Sequence, residues 1–228
     1  TFHQIASEKL EKNLSHLGKI TTVLQDIGMS MRMVPIEGTF RKMARLIRDL
    51  ATRARKQINL DVVGKETELD RGIVEALNDP LVHMMRNAVD HGIESAEERA
   101  AAGKPPAGTI TLKAYHKGRT IHIEIGDDGR GLDREAILVK GIERGLIRES
   151  ERDGLTDADI FNLIYESGFS TSKRTTELSG RGVGMDVVKR NIEAMRGKVM
   201  VRSTPGKGTV FTLVLPLTTA IIDGMTVR

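Results

Sequence analysis

The 228-residue sequence has no cysteine and no tryptophan, and only two tyrosines and five phenylalanines. The lack of cysteine excludes a disulfide framework, a thiolate metal site and a cysteine nucleophile together. With aromatics at 3%, the core has to be built from Leu, Ile, Val, Met and Ala. No run approaches the roughly 18 apolar residues of a membrane helix, and Thr1-Phe2-His3-Gln4 has no signal-peptide layout. There is no initiator methionine either, so the sequence reads as part of a longer chain. What is present, 39% hydrophobic and 29% charged residues, is the balance of an ordinary soluble protein. The length suits one or two domains.

The formal net charge is +4, and the surplus is local. Residues 32–56 hold eight of the 35 Lys and Arg and two of the 31 acidic residues, leaving 27 against 29 elsewhere. Such a stretch is either a solvated helix face or a surface for nucleic acid or an acidic partner.

Leu10, Leu17, Leu24 and Met31 recur every seven residues, with Asn13, Ile20, Ile27 and Val34 three residues after each. This is the seam of a helix that needs a partner to bury it, and the helix is expected to stop at Pro35. Phe40, Met43, Ala44, Ile47, Leu50, Ala51 and Ala54 predict a second amphipathic helix, with the arginines on its other side. Residues 58–63 alternate as a strand. Two helices broken near Asn78-Asp79-Pro80 should follow, then an extended loop from Glu94 to Gly108. A hairpin over 109–126, helices over 133–144, 157–165 and 183–196, and strands over 198–203 and 209–215 complete the pattern. The expected fold class is α+β: a mixed, mostly antiparallel sheet with helices on one face.

Three clusters carry chemistry. His83, Asn87 and His91 are spaced by four, so an α-helix would stack them on one face with Asp90 beside them. The mixture of His and Asn does not suit a tight zinc site, and Mg2+ shared with phosphate oxygens and ligated through one protein oxygen fits better. Asp127-Asp128-Gly129-Arg130-Gly131 ends a strand, where a carboxylate beside glycines can accept a hydrogen bond from a flat ligand. Gly180-Arg181-Gly182-Val183-Gly184-Met185 opens a helix, and its backbone N–H groups suit phosphate. No P-loop and no dinucleotide fingerprint occurs.

In this order the clusters resemble the nucleotide boxes of the GHKL ATPase superfamily: an N box at residues 83–92 and G boxes at 127–131, 180–185 and 206–209. Phe161 and Phe169 stand where an F box belongs. Gly92-Ile93-Glu94, Gly103-Lys104-Pro105, the junction Met31-Arg32-Met33-Val34-Pro35-Ile36 and the tail from Leu215 resemble the CheA-type chemotaxis histidine kinases in particular.

The resemblance implies a dimerisation helix at 1–35, a GHKL (Bergerat) kinase domain at 36–216 and the start of an SH3-like regulatory domain at 217–228. It implies ATP and Mg2+ as cofactors. Asp127 would accept from the adenine amino group, and Asn87 would ligate Mg2+. His83 would be the base or orienting group for an incoming histidine. His91 and the backbone of Gly182 and Gly184 would touch the phosphates, Thr209 would lie near the adenine, and residues 166–181 would form a lid. Asp90, Gly129, Gly131, Ser170, Thr171, Gly180, Val183 and Met185 would complete the nucleotide site.

The implied activity is transfer of the ATP γ-phosphate, in trans, to a histidine on a separate phosphotransfer domain. The implied partners are a second copy through the N-terminal helix, a response regulator, and a CheW-like adaptor with its chemoreceptor array. Nucleic acid and direct membrane insertion are not implied, and the expected location is the bacterial cytoplasm. Neither His3 nor His16 is expected to be phosphorylated. Two other readings stay open: an ATP-binding scaffold with weak kinase activity, and an ATPase of the topoisomerase or mismatch-repair type.

Overall fold

The computed structural model describes residues 12–21, 23, 27, 32–169 and 184–217. Helix α1 covers residues 12–21, and Leu14, Leu17 and Ile20 are exposed on it, as are Val23 and Ile27 beyond. The seam positions Leu10, Leu24 and Met31 lie outside the described residues. Val34 does not continue that seam. It sits in β1 (Met33–Pro35), which pairs antiparallel with β3 (Glu68–Asp70) and is tied there by the Arg32–Asp70 ion pair at 3.3 Å. A proline is tolerated in this two-stranded ribbon because an edge position needs no N–H.

Helix α2 (Glu37–Ala54) buries Phe40, Met43, Ile47 and Ala51, as its periodicity predicts, and leaves its arginines in solvent. Residue Arg55 ends it in the left-handed conformation at φ 54°. The five-stranded sheet has the order β2-β4-β5-β7-β6: β2 (Ile58–Val63), β4 (Gly108–Lys117), β5 (Thr120–Asp127), β7 (Gly208–Pro216) and β6 (Lys198–Thr204). β2 runs parallel to β4, and every other pair is antiparallel. Ile110, Leu112, Ala114, Ile121, Ile123, Ile125, Leu213 and Leu215 point from alternate positions into the helical layer and are buried. Tyr115, His122 and Glu124 share the opposite face, where the Tyr115 and His122 rings stack at 5.2 Å. The α+β expectation is thereby met.

Two further expectations fail in the helical layer. A single helix, α3 (Arg71–Asn87), runs through Pro80 without a break. An interior proline costs about 3 kcal/mol, but Ile73, Leu77, Leu81, Met84 and Met85 on the same stripe are all buried. At about 1.5–3 kcal/mol for each such side chain, the stripe outweighs the proline. The expected loop over 94–108 instead contains α4 (Ala96–Ala101), started by a reciprocal capping box between Ser95 and Glu98. The remaining helices are α5 (Arg134–Glu143), α6 (Asp157–Asn162) and α7 (Met185–Ala194). They lie close to their predicted spans.

Candidate nucleotide site

Helix α3 delivers His83 and Asn87, and the chain then widens into a π-helical turn, Ala88–Gly92, closed by Ile93 N–H donating to the Ala88 carbonyl at 2.8 Å. Such turns change the phase of a helix. The four-residue spacing from Asn87 to His91 therefore does not stack the two on one α-helical face as predicted, and Asp90 and His91 are exposed on the turn. His91 still lies close enough to His83 to act on its charge. Burial holds the His83 imidazole below its ordinary pKa. The Arg86 cation adds to this, the Asp186 carboxylate opposes it, and His91 lowers it further. The half-buried His83 is thus kept neutral at neutral pH.

Asn87 meets the start of α7, where its Nδ2 donates to the sulfur of Met185 at 3.3 Å. Its carbonyl oxygen has no protein partner among the described residues. Gly184 precedes α7 with no side-chain cap, and a Cβ there would fall 2.5 Å from Oδ1 of Asp186. Asp186 pairs with Arg190 at 3.2 Å and lies in the first turn of α7, a favourable end for an anion. Ser170, Thr171, Gly180, Gly182 and Val183 lie outside the described residues, as does most of the expected lid.

The opposite end of the site is built around Asp127 at the end of β5. Its carboxylate accepts from Gly129 N–H at 2.9 Å, and Thr209 is its register partner across β7. Burial pushes its pKa up to about 6; the Gly129 and Thr209 N–H groups oppose this, and the Asp128 and Glu94 carboxylates add to it. Backbone presses in from three sides. A Cβ on Gly92 would lie 3.1 Å from the carboxylate, and one on Gly129 would lie 2.1 Å from the Gly92 carbonyl. One on Gly208, whose φ is +108°, would lie 1.9 Å from the Asp127 carbonyl. Only glycine allows the approaches at Gly129 and Gly208, and the one at Gly92 is tight. Thr209 is buried with its hydroxyl 3.1 Å from that of Ser203. Gly131, at φ +76°, turns the chain away against Thr204.

An ion network that sequence reasoning did not assign supports this turn. Arg99, 1% exposed, grips the Asp128 carboxylate with two nitrogens at 3.0 and 3.1 Å, pairs with Glu94 at 3.1 Å and donates to the Pro105 carbonyl at 2.7 Å. Lys104 reaches Glu94 at 2.7 Å and the carbonyls of Asp128 and Gly129 at 3.0 and 2.8 Å. Asp128 in turn accepts from Thr109 N–H at 2.8 Å. The signal for the helix that carries Arg99 was the Ser95…Glu98 capping spacing. The roles of Asp186 and Arg99 themselves left no local mark.

No cluster of three or more His, Asp or Glu side chains among the described residues could hold a metal alone. One amide oxygen on Asn87 fits an ion whose other ligands come from phosphates and water. No helix among the described residues is long and apolar enough to cross a membrane.

The profile of the histidine kinase-, DNA gyrase B- and HSP90-like ATPases matches residues 76–219, from within α3 to past the last strand. The chain belongs to that family. Among curated relatives of this ATPase family, it is 45% identical to the chemotaxis protein CheA of Bacillus subtilis over 99% of its own length and 34% of the relative's. It is 49% identical to CheA of Salmonella typhimurium over 90% of itself and 30% of the relative. The chain therefore spans about a third of the curated relatives it matches. The catalytic domain of the histidine kinase ThkA superposes with a TM-score of 0.50 at 13% identity, over 82% of this chain and 95% of that one, which supports the ATPase-family fold.

Proposed function

We propose that this chain is the ATP-binding catalytic core of a chemotaxis-type protein-histidine kinase. The observation that carries this reading is the meeting of the N-box helix with the Asp127 turn. A half-buried carboxylate is framed by three glycines at one end, and the Asn87 amide stands at the head of α7 at the other. Asp127 reads the adenine amino group, which a carboxylate can accept and a guanine carbonyl cannot satisfy. Asn87 would hold Mg2+, which neutralises phosphate charge when bound. His83, kept neutral, accepts or orients the proton of the incoming imidazole. The acceptor nitrogen forms its bond to the γ-phosphorus as the bond to the β,γ-bridging oxygen breaks and ADP leaves. This chemistry needs mainly positioning and charge stabilisation.

The resemblance to CheA proteins supports the wider setting. A second copy would bury the exposed leucines and isoleucines of α1, and the phosphoryl acceptor would be a separate phosphotransfer domain serving a response regulator. A CheW-like adaptor and receptor array in the bacterial cytoplasm would hold the full-length protein. The test is incubation with γ-labelled ATP, Mg2+ and a histidine phosphotransfer domain. Label on the acceptor is expected. Binding without label would favour an ATP-binding scaffold, and DNA-stimulated turnover would favour the topoisomerase type.

A further inference from the structure

A helix ends with carbonyls that lack intrahelical partners, and the π-helical turn Ala88–Gly92 ends between the two halves of the nucleotide site. Ala88 uses its carbonyl on Ile93 N–H, and Gly92 uses its own on Arg130 N–H at 3.0 Å. The carbonyls of Val89, Asp90 and Ile93 converge instead on the ammonium of Lys56, at 2.7, 3.3 and 2.7 Å. Three donors meet three acceptors, which is the whole hydrogen-bonding capacity of a lysine. Lys56 follows the left-handed end of α2, and its own N–H donates to the Ala51 carbonyl at 3.0 Å, so α2 fixes where the ammonium stands.

We propose that Lys56 is a positioning residue for base recognition: by closing the carbonyl end of the π-helical turn, it holds Gly92 against the carboxylate of Asp127. The chain of contacts is short. Lys56 grips the residues on both sides of Gly92, the Gly92 carbonyl seats the 129–131 turn through Arg130, and Gly129 N–H holds Asp127. Partial burial lowers the Lys56 pKa and Arg130 lowers it further, while Asp90, Glu98 and Glu94 counter this. A guanidinium cannot replace it, because a planar fork does not point three donors at one small cup of carbonyls. The inference rests on Asp127 being the base-selecting group.

The sequence has no cysteine, so Lys56→Cys places a single thiol in the 228-residue chain. Alkylation with 2-bromoethylamine rebuilds an ammonium at lysine length; alkylation with 1-bromopropane gives the same shape without charge or donors. ADP and GDP affinities are measured by calorimetry at a temperature where both products are fully folded by circular dichroism. The aminoethylated form is expected to keep the wild-type ADP-over-GDP ratio, and the propylated form to lose roughly tenfold of it, the usual scale for removing a positioning partner. A propylated form within about twofold of wild type would overturn the proposal. If the propylated chain does not refold, Lys56→Arg replaces it, and an unchanged ratio in that variant overturns the proposal equally. Asp127→Asn separates the two levels. If that variant loses the discrimination while the propylated chain keeps it, only the role of Lys56 fails. If Asp127→Asn keeps it, the base-selecting reading fails and the proposal with it.

Discussion

The two ends of the nucleotide site are built to different standards. At the Asp127 end, three glycines admit backbone to within contact of one carboxylate or its neighbours, and Arg99, Lys104, Glu94 and Asp128 lock the turn from behind. At the Asn87 end, α3 and α7 pack through buried apolar side chains, the side-chain hydrogen bond between them among the described residues is the N–H···S contact of Asn87, and α7 begins without a side-chain cap. A rigid recognition surface cuts the ordering cost of binding. A loose one leaves that cost to be met by the ligand. On the proposed reading, affinity and base choice belong to the Asp127 end, and chemistry that forms only with substrate in place belongs to the Asn87 end.

Variants at each end should therefore fail in different measurements. The largest effect is expected for Asn87→Asp, which places a negative charge where phosphates and Mg2+ meet. Transfer to an acceptor domain should fall about 1000-fold, the upper range for loss of one transition-state contact. Near-normal transfer in a phosphorylation assay would remove Asn87 from the site.

Next is Asp127→Asn. ADP affinity measured by calorimetry should fall roughly 100-fold, as expected for a charge-assisted hydrogen bond replaced by a mismatched amide. The nucleotide-free chain should nevertheless become more stable. A carboxylate whose pKa is raised on folding binds more protons in the native state, so it costs stability as pH rises from its ordinary 3.8 through about 6. The variant escapes that cost, giving a gain of about 1–3 kcal/mol at pH 7 in urea melts. The gain should shrink as pH falls below 6 towards 3.8. A variant that is less stable than the parent at pH 7 would refute the view that Asp127 is held at a cost for function.

A smaller effect follows from the same carboxylate without mutation. The ionised carboxylate accepts from an amino group more strongly than the neutral acid does, and the ionised form is lost as pH falls through about 6. The ratio of ADP to GDP affinity, in which titration of the phosphates cancels, should fall by up to about tenfold per pH unit below that point. A flat ratio between pH 7 and pH 5 would mean that Asp127 does not read the base.

The same contrast governs what could be read without coordinates. The Asp127 turn was legible because strand alternation places Asp127 at the end of β5 and glycines follow it within a few residues. What escaped depends on tertiary approach. Periodicity assumes an α-helix, so it stacked His91 over Asn87 and could not register the π-helical turn that exposes His91. Pro80 reads as a break locally and is overruled by the buried stripe around it. Lys56 reads as one more cation in a basic stretch, and its three carbonyl partners lie 33 to 37 residues away. The capping box at Ser95 was in plain view and was outweighed by the glycines and prolines that follow it. On α1 and just beyond it, Leu17, Ile20 and Ile27 are exposed together with every other described residue from 12 to 27, so exposure does not single out the seam, and Val34 belongs to β1.

The smallest effect is the one that measures how loose the Asn87 end is. Met185→Leu removes the sulfur that accepts from Asn87 and keeps nearly the same volume, a swap that cores tolerate at under about 1.5 kcal/mol. A thioether is a weak acceptor, so little orientation is lost with it. If the contact only rests α3 against α7, Met185→Leu should change the ADP dissociation constant by less than about threefold and shift stability by under about 0.5 kcal/mol. Both can be followed in the same calorimetric and urea titrations. A tenfold loss of ADP affinity would mean that the Met185 sulfur presets Asn87 for the phosphates. The two ends of the site would then differ in chemistry and not in rigidity.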